Sequence, residues 1–285
     1  MILTVASGKG GTGKTTVSVN LAVLAADSGH VVHFCDCDVE EPNAHLFLNP
    51  KWEEKKEITL PLPVVDQDRC THCGKCAEIC EFNAIISLPA RTIVFDDLCH
   101  ACSGCWLVCP EKAIAQGKRI IGETETGQAG KLRFTHGRLR IGETQVPPLV
   151  DAVKATANPD QLVIRDAPPG VTCPAVATLH GSDFVLLVTE PTPFGLSDLK
   201  VAVELVRDLN LPCAVLVNRQ GSGDERVAEY CKTENLRLLK GVPFSREAAE
   251  AISRGELIVE TVPAMRKAMA GVLEEILEMV EGASS

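Results

Sequence analysis

Two groups of residues in this sequence have the types and spacings that chemistry requires. The first is the run Gly8-Lys9-Gly10-Gly11-Thr12-Gly13-Lys14-Thr15-Thr16, which lies between an apolar segment and a helix-forming one. Glycines let backbone N–H groups close around phosphate oxygens, and a helix beginning at the end of the run adds its positive dipole. In such a loop Lys14 reaches the β and γ phosphates and the hydroxyl of Thr15 ligates Mg²⁺. The chemistry implied is binding of a nucleoside triphosphate, with phosphoryl transfer within reach.

The second group is cysteine. Eight of the thirteen cysteines fall in two tight runs, Cys70-x-x-Cys73-x-x-Cys76-x-x-x-Cys80 and Cys99-x-x-Cys102-x-x-Cys105-x-x-x-Cys109-Pro110. Each is the spacing that bacterial ferredoxins use for [4Fe-4S] clusters, in which the fourth cysteine of one run ligates the cluster of the other. The expected ligand sets are Cys70, Cys73, Cys76 with Cys109, and Cys99, Cys102, Cys105 with Cys80. Zinc knuckles are separated by a longer arm and fit this spacing badly, and a secreted disulfide scaffold would spread its cysteines along a short chain. The runs are also a repeat: Asp68 and Asp97 precede them at one offset, and Ala84-Ile85 and Ala113-Ile114 follow at another. Glu81 stands where the second run has Pro110, which changes a turn residue rather than a ligand.

The elements that must position these residues read as an α/β alternation. A strand over Ile2 to Ala6 leads into the glycine run, a helix follows from Thr15 to about Asp27, and Gly29 ends it. A second apolar run, Val31 to Cys35, stops at Asp36-Cys37-Asp38. The charged stretch Lys51 to Glu57, with Pro61 and Pro63, predicts a boundary near residue 60, and Lys118 to Val146 predicts short hairpins. Strands at Leu162 to Arg165, Phe184 to Thr189 and Cys213 to Val217 then alternate with helices, including one from Leu196 to Leu209 and a last one from Ala264 to about Val280. Purely apolar strands between helices indicate a mainly parallel sheet covered on both faces. Residues 1–58 and 118–285 are thus expected to be two parts of one nucleotide-binding fold, with 59–117 inserted as a small α+β domain like bacterial ferredoxin.

The second lysine of the loop, Lys9 in Lys9-Gly10-Gly11-Thr12-Gly13-Lys14-Thr15-Thr16, makes the chain resemble the P-loop NTPases that include MinD, ParA, Mrp and the nitrogenase iron protein. Together with the cysteine repeat, nearly the whole chain resembles MinD-superfamily ATPases with an inserted ferredoxin domain. The resemblance implies that ATP is the nucleotide and that Lys9 reaches the partner's nucleotide in an ATP-dependent homodimer, or in a heterodimer with a related ATPase. It also implies that Asp36 lies near the Mg²⁺ shell, that Asp38 positions the attacking water, and that Asp166 in Asp166-Ala167-Pro168-Pro169-Gly170 is the acid of the second switch. By the same resemblance Asn218, Arg219, Pro243 and Phe244 contact adenine.

Composition narrows the rest. The formal charge is -10, from 38 acidic against 28 basic residues, which argues against a phosphate-backbone partner such as nucleic acid. No apolar run approaches the roughly 18 residues of a membrane span, and the first residues do not form a cleavable signal, so a cytoplasmic location is expected. His72 and His100 are expected to be solvated rather than ligands, Cys35, Cys37 and Cys213 to be small packing residues, and Cys173 to pack as well, with a dimer-bridging metal or redox role as the alternative. The expected function is ATP hydrolysis coupling dimer closure to electron transfer, or to docking of a redox partner, through two clusters. An iron-sulfur assembly or carrier role, and a positioning ATPase with redox-sensing clusters, remain the alternatives.

Overall fold

In the computed structural model, which describes residues 1–283, the chain divides into two compact units: residues 1–55, 124–138 and 146 onward, and residues 56–123 with 139–145. Compared with the expected insert of 59–117, the second unit also takes in 56–58, 118–123 and 139–145. The last two residues of the expected segment 118–285 lie outside the described residues.

In chain order the elements are β1 (Ile2–Ala6), α1 (Lys14–Asp27), β2 (Val32–Asp36), α2 (His45–Leu48), β3 (Lys51–Val65), α3 (Lys75–Glu78), β4 (Ile85–Leu88), β5 (Arg91–Val94) and α4 (Gly104–Val108). They continue with β6 (Ile114–Ala129), β7 (Leu132–Leu139), α5 (Pro147–Lys154), β8 (Leu162–Asp166), α6 (Cys173–Leu179), β9 (Phe184–Thr189), α7 (Pro193–Asp208) and β10 (Cys213–Val217). The chain closes with α8 (Arg226–Thr233), β11 (Arg237–Leu238), α9 (Arg246–Ser253), α10 (Ile258–Thr261) and α11 (Pro263–Ala283).

The main sheet has nine strands in the order β11-β10-β9-β1-β8-β2-β7-β6-β3. From β11 to β7 every neighbouring pair is parallel. Its central strands are apolar on both sides because both faces are covered. Along β9, Leu186 and Val188 face one core with α1 and α11, while Val185 and Leu187 face a second core with α7. β10 repeats the alternation, with Ala214 and Leu216 on the first face and Val215 and Val217 on the second. This is the period of two expected of a strand buried on both faces.

The charged and proline-bearing stretch at 51–63, expected to mark a boundary near residue 60, belongs to β3, which lies at the edge of the sheet and runs across the division between residues 55 and 56. An edge strand has one side without a neighbour, so it tolerates Pro61 and Pro63 and is kept from further pairing by Lys51, Glu53, Glu54, Lys55, Lys56 and Glu57. The glycine-rich segment from 118 is not a set of short hairpins. It is one long hairpin of β6 and β7 turning at Gly130-Lys131, where Gly130 has φ of 56°. Here β-pairing across a single tight turn outweighs the low strand propensity of its glycines. In the second unit, β4 and β5 form a separate antiparallel pair. Among the described residues no helix is long and apolar enough to cross a membrane.

Two stability predictions follow from burial. Leu186 is fully buried, so Leu186→Ala should lower unfolding free energy by about 2–5 kcal/mol, whereas Ile141→Ala, at a fully exposed side chain, should stay within roughly 0.5 kcal/mol; denaturant midpoints check both. His33 is buried in β2 with Nε2 2.9 Å from Thr135 Oγ1, and burial, aided by nearby Arg133, pushes its pKa from 6.5 down to about 4. Below pH 6.5 the unfolded chain binds a proton that the folded chain resists, so stability should fall as pH drops toward about 4. His33→Asn should flatten that part of the stability profile, which is on the order of 3 kcal/mol deep.

Candidate functional site

The first unit carries a phosphate-binding loop between β1 and α1. Gly13 takes φ of 86° immediately before Lys14, and a Cβ there would also lie 2.1 Å from Asn218 Nδ2, so glycine is required on two counts. The loop, including Lys9, Gly10, Gly11, Thr12, Lys14, Thr15 and Thr16, lines a cavity with about 780 Å³ of empty space, together with Asp38, Asn43 and Arg219. Gly8 closes the loop from behind, because a Cβ would meet the backbone of Asp198 at 2.1 Å.

Three acids surround the loop. β2 and β8 are neighbours in register, so Asp36 and Asp166 end them side by side, both fully buried. Lys14 Nζ donates to one oxygen of Asp166 at 2.8 Å, and Thr15 Oγ1 donates to the other at 2.7 Å. Asp36 accepts from the backbone N–H groups of Asp38, Asn43 and Ala44 at 3.0–3.2 Å. Burial, with Asp166 alongside, still pushes Asp36 up to about 7, and burial raises Asp38 to about 6 against the pull of Lys14. Such a cluster of acids around one lysine favours a further cation.

Thr15, Asp36 and Asp166 suit Mg²⁺ in that respect. Among the described residues no group of three or more His, Cys, Asp or Glu side chains is placed to hold a metal ion by itself. Mg²⁺ commonly takes only one or two carboxylates and completes its shell with phosphate and water.

Lys9 points within its own chain. Its Nζ lies 2.7 Å from Glu190 Oε1 and 4.0 Å from Asp198 Oδ2. Arg219 holds the other oxygen of Glu190 at 3.3 Å and donates to Gly11 O at 3.3 Å. Glu190 and Asp198 were not anticipated from sequence. The available signal was position: Glu190 directly follows β9 at the carboxyl edge of a parallel sheet, where ligand-binding loops gather.

A second cavity of about 770 Å³ adjoins the first, since Gly13, Thr16 and Arg219 line both. Its other walls include Asn218, Val242, Pro243, Phe244, Ile252, Ile258 and Met265. Asn218 Nδ2 donates to Thr12 O at 2.8 Å, and the loops after β10 and β11 are joined by Gln220 N–H to Val242 O and Phe244 N–H to Gln220 O. All four residues expected at adenine therefore meet in one largely apolar slot. Ile252, Ile258 and Met265 were missed because they come from later helices whose apolar residues read as core.

In the second unit the eight clustered cysteines divide between two cavities. One, with about 330 Å³ of empty space, is lined by Cys70, Cys73, Cys76 and Cys109; the other, about 410 Å³, by Cys99, Cys102, Cys105 and Cys80. The repeat extends to the backbone. His72 and Ala101, Gly74 and Ser103, and Asn83 and Lys112 have positive φ at matched positions. Ala84 N–H donates to Cys80 Sγ and Ala113 N–H to Cys109 Sγ, each at 3.3 Å. Left-handed non-glycine residues are strained by about 1–3 kcal/mol each and are held where a site demands them.

Burial and the neighbouring thiols raise Cys76, and the same causes push Cys105 up to about 11. Burial makes these side chains poor as free thiolates, a cost that a bound positive group would offset. None of the thirteen cysteines forms a disulfide. One expectation changes here: Cys173 is exposed rather than packed; His100 is exposed and His72 partly so, with His72 Nδ1 3.4 Å from Thr92 Oγ1 and His100 stacked on Phe82 at 3.6 Å.

Lys14→Ala should weaken MgATP binding about 10- to 100-fold, as expected for a lost charge-assisted hydrogen bond to phosphate, measured by titration calorimetry. It should also lower the stability of the nucleotide-free protein, because Asp166 loses its buried partner.

Comparison with known proteins places this geometry. Residues 3–258 match the family model described as the CobQ/CobB/MinD/ParA nucleotide binding domain. An uncharacterised protein of Methanocaldococcus jannaschii is 29% identical over 265 residues, 90% of each chain. An iron-sulfur cluster carrier protein of Aquifex aeolicus is 26% identical over 302 aligned positions, spanning 98% of this chain and 68% of that one. Among solved structures, the cell division ATPase MinD of Pyrococcus furiosus superposes with a TM-score of 0.62 at 22% identity, covering 98% of both chains, and shares the fold. With a matched model across most of its length and the phosphate loop in place, the chain belongs to the CobQ/CobB/MinD/ParA family of nucleotide-binding proteins.

Proposed function

We propose that this protein is an ATPase that couples MgATP binding and dimer closure to electron transfer, or to docking of a redox partner, through two [4Fe-4S] clusters held by its second unit. The observation that carries this reading is the division of eight cysteines into two four-thiol cavities, in a chain whose other unit has a phosphate loop faced by three acids. The cluster-binding unit is then a ferredoxin-like insertion that leaves the chain after Asp38 and rejoins it before Asp166, so in sequence it lies between the two strand-end acids.

On this reading Lys14 turns from Asp166 to the triphosphate, and Thr15, Asp36 and Asp166 would hold Mg²⁺, which would supply positive charge beside the phosphates. Asp38, with a pKa near 6, orients the attacking water and accepts its proton. Lys9 leaves Glu190 and stabilises charge on the partner's transferring phosphoryl group, in a homodimer or with a related ATPase. Asn218, Arg219, Pro243 and Phe244 hold the adenine. The clusters supply one-electron chemistry; the protein supplies the thiolates and the shielding walls of the cavities.

The names of the carrier relatives support a second reading, in which the chain delivers clusters rather than electrons. Transfer of iron and sulfide to an apo-acceptor would favour it; ATP-dependent reduction of a partner would favour the coupled reductase.

Anoxically purified protein should contain about eight irons per chain, and Cys109→Ser should lower that count selectively. A non-hydrolysable ATP analogue should change both the proteins captured in an anoxic pull-down and the EPR spectrum of the reduced clusters. Indifference of both to nucleotide would sink the coupling. Asp38→Asn should slow ATP turnover by roughly 10²- to 10⁴-fold while nucleotide still binds.

A further inference from the structure

The two cysteine cavities are built on one repeat, but their walls differ where a hydrogen bond to sulfur can be made. Positions separated by the step from Cys70 to Cys99 match Ile85 with Ile114 and Thr71 with His100 across the two linings. The same step matches Thr92, in the first cavity, with Pro63 in the second. Proline has no side-chain donor. Thr92 has a hydroxyl, and the residue is only 2% exposed.

That hydroxyl has three neighbours. Thr92 Oγ1 lies 3.4 Å from Cys70 Sγ, 3.4 Å from His72 Nδ1 and 3.3 Å from Ser87 Oγ. A hydroxyl offers one proton and two acceptor sites. With the Ser87 hydroxyl and an Nδ1-protonated His72 as donors, both acceptor sites are filled and the single proton is free for Cys70 Sγ. Once that sulfur is a thiolate on iron it can only accept, so Thr92 is the donor. Gln67 fixes the strand that carries it: Thr92 N–H donates to Gln67 Oε1 at 3.1 Å, and Gln67 Nε2 donates to Thr92 O at 2.8 Å.

One-electron reduction adds negative charge to a cluster and its thiolates, and a hydrogen bond to a ligand sulfur stabilises the more negative state. We propose that Thr92 is a potential-setting residue, whose hydroxyl hydrogen-bonds the Cys70 thiolate and makes the cluster in that cavity easier to reduce. The second cavity has a different environment, with Ile79, Phe82 and Trp106 among its walls. The indole N–H of Trp106, buried with no partner among the described residues, stands at the repeat position of Ala77. The two clusters are therefore inequivalent, and a change at Thr92 acts on one of them. The inference rests on the reading that these cavities hold clusters.

The test is a mediated redox titration of the full chain under anoxia, with dithionite as reductant, followed by EPR, on the parent and on Thr92→Val. Iron content is measured first. The expected result is parental iron content and one cluster whose reduction equilibrium falls threefold to tenfold, the upper figure being about 59 mV for a one-electron couple. The other cluster stays at its parental potential, and Thr92→Ser, which keeps the hydroxyl, restores the first. If Thr92→Val does not retain iron, Ser87→Ala, which removes one of the groups orienting the hydroxyl, is expected to give a smaller shift of the same sign. Full iron with both potentials unchanged in Thr92→Val, no shift in Ser87→Ala where that variant is the one measured, or no recovery in Thr92→Ser, overturns the proposal. A parent chain that binds no iron overturns the cluster reading itself.

Discussion

The ion pair between Lys14 and Asp166 is the constraint around which the nucleotide unit is arranged. Both side chains are almost wholly buried, at 7% and 0% exposure. Parallel pairing of β2 with β8 sets a second buried carboxylate, Asp36, beside the first. Two such acids are tolerated because Lys14 faces one and three backbone N–H groups face the other. A lysine with that duty is not idle before nucleotide arrives: it balances charge that would otherwise be uncompensated in a low-dielectric interior. On the proposed reading, a phosphate that takes the ammonium would leave a deficit that a divalent cation can fill, which would link nucleotide and metal binding.

The same logic explains the ring of contacts outside the loop. Lys9 and Arg219 converge on Glu190, and Arg219 and Asn218 reach back to the carbonyls of Gly11 and Thr12. The strand ends β9 and β10 thus brace the loop from the side opposite the acids. These residues are charged or polar, lie at the carboxyl edge of the sheet, and are satisfied by one another, so the loop is held by contacts of the chain itself.

How much of this was legible in the sequence depended on whether the signal was local. The glycine run, the cysteine spacing and the apolar strands are short-range patterns, and the strands at Phe184–Thr189 and Cys213–Val217 were read to the residue. Asp36 and Asp166 were visible because each ends an apolar run. The edge strand β3 was not, because an edge uses charge and proline in just the way a linker does. Glu190 was invisible as a partner of Lys9, since the two meet only through sheet topology. Thr92 was hidden for the same reason, as it reaches Cys70 through the turn of the β4 and β5 hairpin.

The long strands also bear on how such a protein can change over evolutionary time. β3 and β6 each have residues in both units, from Lys51 to Val65 and from Ile114 to Ala129. The cysteine-bearing portion is therefore not a bead on a string: cutting it out would break two strands in their middles, leaving 51–55 and 124–129 as stubs. Gain or loss of the portion would demand that both stubs be rejoined or capped at once, a steeper evolutionary step than exchange of a loop.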